Sequence, residues 1–83
     1  MNKLLIYKYI ERIKKEDIAN YSLSQNINLT NNELNIIYDY IKHKTNEILN
    51  NPEEILKEIK NKLSIPVYNK IIELYDKYKD FIS

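Results

Sequence analysis

The only histidine of the chain, His43, follows Asp39 by four residues, which places the two side chains one helical turn apart. An Asp–His pair could hold a proton or help to hold a metal ion. Acid–base or nucleophilic catalysis would need a serine, a cysteine or a second histidine nearby, and the sequence places none there. Zinc would need further histidine or cysteine ligands, and the chain has no cysteine. We therefore interpret the pair as part of a solvated helix face.

The acidic residues give no stronger candidate for chemistry. Asp76 and Asp80 lie one turn apart, and paired carboxylates can do acid–base work when burial separates their pKa values. Lys77 and Lys79 flank them, which indicates a polar surface. A glycine-rich phosphate loop is impossible because the chain has no glycine. The sequence predicts no catalytic residue, no cofactor, no metal site and no enzyme activity, and it indicates no small-molecule substrate.

Tyrosine offers a different kind of site, since its rigid ring and polar tip are common at binding hot spots. Most of the eight tyrosines fall on apolar helix stripes and are predicted to lie at the edge of the core. Tyr40 is different, because with Ile36 it forms a four-apart pair on the side of its helix away from the main stripe. Either another helix covers the pair, or the pair is an exposed patch for a protein partner or a second copy. Ile36 and Tyr40 are the candidate partner contacts.

The charges argue against a nucleic-acid module. Thirteen basic and twelve acidic side chains give a net charge of +1, whereas such modules usually carry a one-sided basic footprint. Residues 26–30 superficially resemble the turn of a helix-turn-helix motif, but the following helix has no lysine or arginine before Lys42. A weak nucleic-acid binder remains the alternative function, and it would use the basic residues near the amino terminus: Lys3, Lys8, Arg12, Lys14 and Lys15.

Apolar residues recur at spacings of three and four along nearly the whole chain, which is typical of helices that each bury one face. We expect an all-α fold with a single domain over residues 1–83, built as a small bundle or orthogonal array of about five helices. The predicted helices cover approximately residues 2–13, 16–25, 31–49, 51–63 and 66–82. In the first helix, the residues expected on one apolar face are Leu5, Ile6, Tyr9, Ile10 and Ile13.

Two helix starts carry capping signals. Thr30 and Glu33 have the spacing of a capping box, in which the threonine hydroxyl accepts from the amide of residue 33 and the glutamate reaches back. The segment Asn51–Glu54 predicts a second capping box, with proline in the first helical position. Asn50 could take the left-handed conformation that ends the preceding helix. Glutamate–lysine pairs four residues apart should support the outer helix faces; they are Glu11–Lys15, Glu53–Lys57, Glu58–Lys62 and Glu73–Lys77.

No segment of the sequence indicates export or membrane insertion. The apolar run near the amino terminus is too short for a signal peptide and is interrupted by Lys8. No stretch approaches the roughly 20 apolar residues of a membrane span. Asn, Ile, Lys and Tyr supply 47 of the 83 residues, and because A/T-rich codons encode all four, an A/T-rich genome explains this bias. We expect a cytoplasmic protein.

A characteristic order of packing and capping residues runs along nearly the whole chain. Its parts are Lys15-Glu16-Asp17-Ile18, Tyr21, Asn26-Ile27-Asn28-Leu29-Thr30 before a long helix, residues 55–59, Ser64-Ile65-Pro66 and residues 72–75. This order resembles the YqfT-like family, short all-helical proteins of low-GC Gram-positive bacteria. The resemblance implies an all-helical fold in a bacterial cytoplasm. It implies no activity, so no functional residue is carried over from it.

Together these observations lead us to expect a non-enzymatic interaction or regulatory module. It would bind a protein partner, or a second copy of itself, through an apolar helix face. The expectation depends on the residue types that the sequence lacks and on the family resemblance.

Overall fold

Helices account for nearly all of residues 3–82, the part of the chain that the computed structural model describes. The all-α class expected from the sequence is confirmed, with no strand among these residues. In chain order the elements are α1 (Lys3–Arg12), α2 (Lys15–Ser24), α3 (Asn31–His43), α4 (Thr45–Asn50), α5 (Pro52–Ile59), a 3₁₀ turn (Lys60–Lys62) and α6 (Ile65–Ile82). Within residues 3–82 no helix combines the length and the apolar character needed to cross a lipid bilayer.

The third helix predicted from the sequence is divided in the structure, so the described residues form six α-helices rather than about five. The break falls at Lys44, whose φ and ψ angles of −121° and 31° lie outside the helical region. The next residue, Thr45, is buried, and its hydroxyl donates a 2.7 Å hydrogen bond to the carbonyl oxygen of Ile41. An uninterrupted helix would offer that carbonyl to the amide of Thr45. The threonine hydroxyl therefore competes with the helical hydrogen bond and favours a bend at this point.

The capping box at the start of α3 is confirmed. Thr30 Oγ1 accepts from the Glu33 amide at 3.1 Å, and Glu33 Oε1 accepts from the Thr30 amide at 3.2 Å. At the start of α5, Pro52 occupies the first helical turn as predicted, but the second capping box is wrong, because the Asn51 side chain caps no amide. Asn51 also ends α4 through a 2.7 Å hydrogen bond from its amide to the Glu47 carbonyl, and this role fixes its backbone.

The left-handed residue that ends a helix is Asn26 rather than Asn50, which lies inside α4. Asn26 has a φ of 61°, the only positive φ among the described residues. Its amide donates to the Leu23 carbonyl at 3.0 Å, and the Ile27 amide donates to the Ser22 carbonyl at 2.9 Å. These two bonds form a Schellman motif after α2, with asparagine in the position that glycine usually takes.

The best-buried apolar side chains come from α3, α5, the 3₁₀ turn's exit and α6; they are Tyr40, Ile55, Ile59, Leu63 and Val67. Neither α1 nor α2 contributes to this cluster. In α1, Ile6, Ile10 and Ile13 are half-buried, whereas Leu5 and Tyr9 are exposed. The apolar face predicted for α1 is thus only partly covered, because its five large side chains span a wider arc than the rest of the fold packs against.

Ion pairs on the surface differ from the predicted four-apart pairs. Three of the side chains expected in those pairs take other partners in the structure: Glu58 pairs with Lys44 at 2.8 Å, Lys57 with Glu54 at 3.7 Å, and Glu73 with Lys70 at 3.3 Å. The last two are local, within one helix, and the first joins the α3–α4 junction to α5. Exposed pairs of this kind contribute little to stability.

Candidate functional site

The sequence left open whether Ile36 and Tyr40 are exposed, and in the structure they are covered. Tyr40 is only 8% exposed and belongs to the core cluster, and Ile36 is half-buried and packs against that cluster. Ile55 and Ile59 of α5 lie in the same cluster. The pair is therefore not an exposed patch, and its place in the core explains the apolar side chains on a second face of α3.

Polar groups surround the edge of the Tyr40 ring. Lys62 Nζ donates a 2.9 Å hydrogen bond to the Tyr40 hydroxyl, and the ammonium groups of Lys44 and Lys62 each lie 5.2 Å from the ring centroid. The hydrogen bond to Glu58 raises the pKa of Lys44. The hydrogen bond from Lys44, followed by that from Tyr40, lowers the pKa of Glu58. These contacts hold the α3–α4 junction against α5 and the 3₁₀ turn that follows it.

The Asp39–His43 pair lies beside this group on the surface of α3, with both residues exposed. They border a shallow cleft together with Lys44, Glu58 and Lys62. Among the described residues no three His, Cys, Asp or Glu side chains gather closely enough to hold a metal ion. The arrangement contains no nucleophile next to the histidine, so it offers no catalytic geometry.

Glu33 is the one buried carboxylate of the described chain, with 7% exposure. Its Oε2 accepts a 2.9 Å hydrogen bond from the Ser64 amide, while Oε1 accepts from Thr30. Burial of the Glu33 carboxyl raises its pKa, but the hydrogen bonds from Ser64 and Thr30 together outweigh burial and leave the pKa lowered. Since one carboxylate oxygen caps the start of α3 and the other accepts from the start of α6, we assign this carboxylate a structural role.

The chain has an apolar cavity of about 370 Å³. It lies between α1, α2, α3 and α6, and its apolar lining includes Ile13, Ile18, Ile37, Ile41, Ile71 and Leu74. The few polar residues that border it are Asp17, Ser22, Gln25 and Lys70. A cavity of this size and lining is suited to apolar side chains or an apolar ligand.

Two tyrosines from different helices border this cavity. Tyr9 of α1 is 66% exposed and Tyr21 of α2 is 48% exposed. Leu5, one turn before Tyr9 on the same side of α1, is 61% exposed. We call Leu5, Tyr9 and Tyr21, with the cavity beside them, the α1–α2 face. Exposed large apolar side chains that cluster around a cavity are typical of interaction sites, whereas isolated ones are not.

The distribution of exposed apolar side chains supports the same location. Among the described residues, the large apolar side chains with high exposure are Leu4, Leu5, Tyr9, Tyr21, Leu23 and Ile65. All except Ile65 belong to α1 or α2. The chain exposes 6090 Å² in total, whereas folded monomers of 10.1 kDa expose about 5,300 Å². The chain as a whole therefore exposes roughly 800 Å² more than an ordinary folded monomer of its mass.

Polar contacts with neighbouring helices help to hold α1 in place, beside the half-buried Ile6 and Ile10. Lys42 of α3 donates hydrogen bonds of 2.6 and 3.0 Å to the carbonyl oxygens of Ile10 and Glu11 at the end of α1. A lysine at that end of a helix satisfies carbonyls that have no partner within the helix. The Tyr7 hydroxyl donates to the side-chain oxygen of Asn46 in α4. These contacts fix the inner side of α1 and leave its Leu5–Tyr9 side free for a partner.

The side chain of Lys3 lies outside the described part of the structure, and among the described side chains near the amino terminus the basic residues are interspersed with acidic ones. Lys8, Arg12, Lys14 and Lys15 are exposed, but Glu11, Glu16 and Asp17 are exposed among them; all seven belong to α1, α2 or the link between them. The Lys15 ammonium lies 5.3 Å from the centroid of the Tyr38 ring, which places it beside α3. The alternating charges do not create the continuous positive surface that phosphate contacts require.

Sequence reasoning missed the α1–α2 face because it assigned every apolar stripe to the core. The width of the apolar surface of α1 could have indicated this face. Adjacent Leu5 and Ile6, followed by adjacent Tyr9 and Ile10, cannot all be covered by the helices of so small a domain.

Comparisons of the chain with protein-family models, with curated proteins and with solved structures give no match. The resemblance to the YqfT-like family therefore stays a prediction from the sequence. The functional argument depends on the geometry of the α1–α2 face.

Proposed function

We propose that the protein is a non-enzymatic interaction module of the bacterial cytoplasm that binds a protein partner through the α1–α2 face. The observation that carries this proposal is the exposure of Tyr9 and Tyr21 at the border of an apolar cavity, with exposed Leu5 one turn before Tyr9. Fully burying one large apolar side chain stabilises a complex by about 1.5–3 kcal/mol before the costs of association are counted. Tyrosines at the centre of a patch are the residues that most often act as hot spots.

The proposal moves the binding surface from Ile36 and Tyr40 of α3, where the sequence placed it, to exposed side chains of α1 and α2. Tyr40 is only 8% exposed and offers a partner little apolar surface. A partner can approach the exposed tyrosines of the α1–α2 face directly. Membership in the YqfT-like family, as the sequence suggests, is compatible with this role and remains part of the proposal.

The nucleic-acid alternative has less support. A phosphate-binding surface needs several basic side chains on one side, and acidic residues alternate with the basic ones in α1 and α2. The α1–α2 face is instead apolar at its centre. Binding that weakens only slightly as salt is raised would favour the protein-binding function, since phosphate contacts release counterions and lose affinity steeply with salt.

The test is affinity capture from the native host with matched surface variants. Tyr9→Glu places a charge in the centre of the α1–α2 face, and Ile65→Glu places the same charge at an exposed apolar residue outside it. A partner that uses this face should be captured by the wild type and by Ile65→Glu but not by Tyr9→Glu. The purified partner should then bind the wild type directly, with affinity at least tenfold higher than for Tyr9→Glu. Equal capture by all three proteins would contradict the proposal.

A further inference from the structure

We infer that the partner bound by the α1–α2 face is a second copy of this chain, related by a two-fold axis so that α1 of each copy lies on α2 of the other. The inference depends on the proposed function, because it names the occupant of the same face. Three properties of the described residues favour a second copy: the exposed area, the charges of the two helices, and the exposed side chains that each copy can offer.

The excess exposed area has the size that a dimer interface requires. The chain exposes roughly 800 Å² more than a typical folded monomer of its mass. A standard protein–protein interface buries about 800 Å² on each partner. Association of two copies through the α1–α2 face would thus bring the exposed surface of each chain close to the value of an ordinary compact protein.

The charges select the arrangement of the two helices. One acidic and three basic residues give α1 a net charge of +2, whereas two acidic residues and one basic residue give α2 a net charge of −1. Lys8 and Arg12 follow Leu5 and Tyr9 by three residues each, so they flank the apolar centre on α1. Asp17 precedes Tyr21 by one turn on α2 and borders the cavity.

A two-fold interface makes every contact twice. With α1 on α2, Lys8 and Arg12 of each copy meet the other copy's α2, whose net charge is −1 with Lys15 counted, so the contact is attractive on both sides of the axis. With α1 on α1, the basic residues of the two copies would face each other and repel. The net charge of +1 per chain is small enough that long-range repulsion between copies is weak.

The side chains also complement each other. In the paired arrangement, Leu5 and Tyr9 of one copy lie over Tyr21 and the cavity mouth of the other. The cavity of about 370 Å³ thereby receives apolar side chains from a second chain. Each copy provides both the concave and the protruding part of the interface, so no further component is needed.

Sedimentation equilibrium of the purified chain tests the inference. Interfaces of standard size have Kd values from micromolar to picomolar, so at roughly 100 µM nearly all chains should be dimeric. The wild type and Ile65→Glu should sediment with twice the monomer mass, and Tyr9→Glu should have a Kd at least about 30-fold higher. Leu5→Glu serves as the second variant if circular dichroism shows that Tyr9→Glu does not fold.

Disulfide cross-linking tests the orientation of the two copies. Introduced cysteines can pair only with each other, since the chain has no cysteine of its own. Tyr9→Cys and Tyr21→Cys proteins, one of them tagged, are mixed and oxidised. The hybrid disulfide dimer should form more readily than either homodimer, since residue 9 of one copy lies opposite residue 21 of the other. A preference for homodimers would overturn the α1-on-α2 arrangement.

The two proposals fail in different ways. A wild type that remains monomeric at this concentration overturns the second copy as occupant, and Tyr9-dependent capture of another protein would still support the proposed function. A dimer that is unaffected by both Tyr9→Glu and Leu5→Glu overturns the α1–α2 face as the interface.

Discussion

Oε2 of Glu33 accepts a 2.9 Å hydrogen bond from the backbone amide of Ser64, 31 residues further along the chain. Ser64 precedes α6, and its carbonyl accepts the first helical hydrogen bond, from Tyr68. The residue that would normally reach back to the Ser64 amide is Val67, which has no polar group. Glu33 supplies the missing carboxylate from another helix, so one side chain caps the starts of both α3 and α6.

The first prediction concerns the stability that Glu33 contributes. Hydrogen bonds to a charged acceptor contribute about 1.5–3 kcal/mol, so Glu33→Ala should lower the free energy of unfolding by roughly 2 kcal/mol. Glu33→Gln keeps the size and one acceptor oxygen and should lower it by less. Urea unfolding of the three proteins provides the measurement. A loss below about 0.5 kcal/mol for Glu33→Ala, as at an ordinary surface position, would show that the link to Ser64 is not formed.

The second prediction follows from the lowered pKa of Glu33. A carboxyl whose pKa is lower in the folded than in the unfolded chain stabilises the fold above its ordinary pKa. This contribution is lost as the pH falls through the folded-state pKa. The melting temperature of the wild type should therefore decrease below a pH of about 4.5, and that of Glu33→Gln should decrease less. The difference between the two profiles isolates Glu33 from other carboxyls, such as Glu58, whose pKa is also lowered. Parallel profiles would contradict the prediction.

The third prediction compares two helix starts that look alike in the sequence. Thr30→Ala removes the hydroxyl that accepts from the Glu33 amide and should lower the free energy of unfolding by about 1 kcal/mol. Asn51→Ala should cost less than about 0.5 kcal/mol, because the Asn51 side chain caps no amide. Chemical denaturation measures both. Equal losses would mean that the two starts are capped alike.

The fourth prediction separates the core tyrosine from the surface tyrosines. Tyr40→Ala should lower the free energy of unfolding by roughly 3 kcal/mol, as expected when a large buried side chain is truncated. Tyr40→Phe removes only the hydroxyl that accepts from Lys62 and should cost about 1 kcal/mol. Thermal or urea unfolding provides these values. Under conditions in which the domain stays folded, Tyr40→Phe should leave association unchanged, and a weakened complex would return Tyr40 to the list of partner contacts.

The sequence was sufficient for the all-α class, the Thr30–Glu33 cap and the position of Pro52, because each depends on residues within a few positions of one another. It was insufficient where one residue lies between two helices and can take part in the end of one or the start of the other. Asn51 is a residue type that often caps helix starts, but its side chain caps no amide of α5, and its backbone amide bonds to the end of α4. The break at Lys44 depends on the hydroxyl of Thr45, which a continuous apolar stripe conceals.

The spacing of apolar residues could not predict the candidate site either. A helical stripe shows which side chains are apolar, and it does not show how much of the stripe the rest of the fold can cover. Tyr40 and Tyr9 have similar local sequence surroundings, yet Tyr40 packs with Ile55 and Ile59 of α5 whereas Tyr9 is 66% exposed. Only the packing of six short helices distinguishes a core tyrosine from an interface tyrosine.

The most direct test of the α1–α2 face is photo-cross-linking in living cells of the native host. A photoreactive phenylalanine derivative is placed at position 9, and in a matched strain at position 65, since both side chains are exposed and close in apolar character. We expect a discrete covalent adduct from position 9 and none of that mass from position 65, with an adduct of twice the chain mass identifying a second copy. No adduct from position 9, or the same adduct from both positions, would contradict the account.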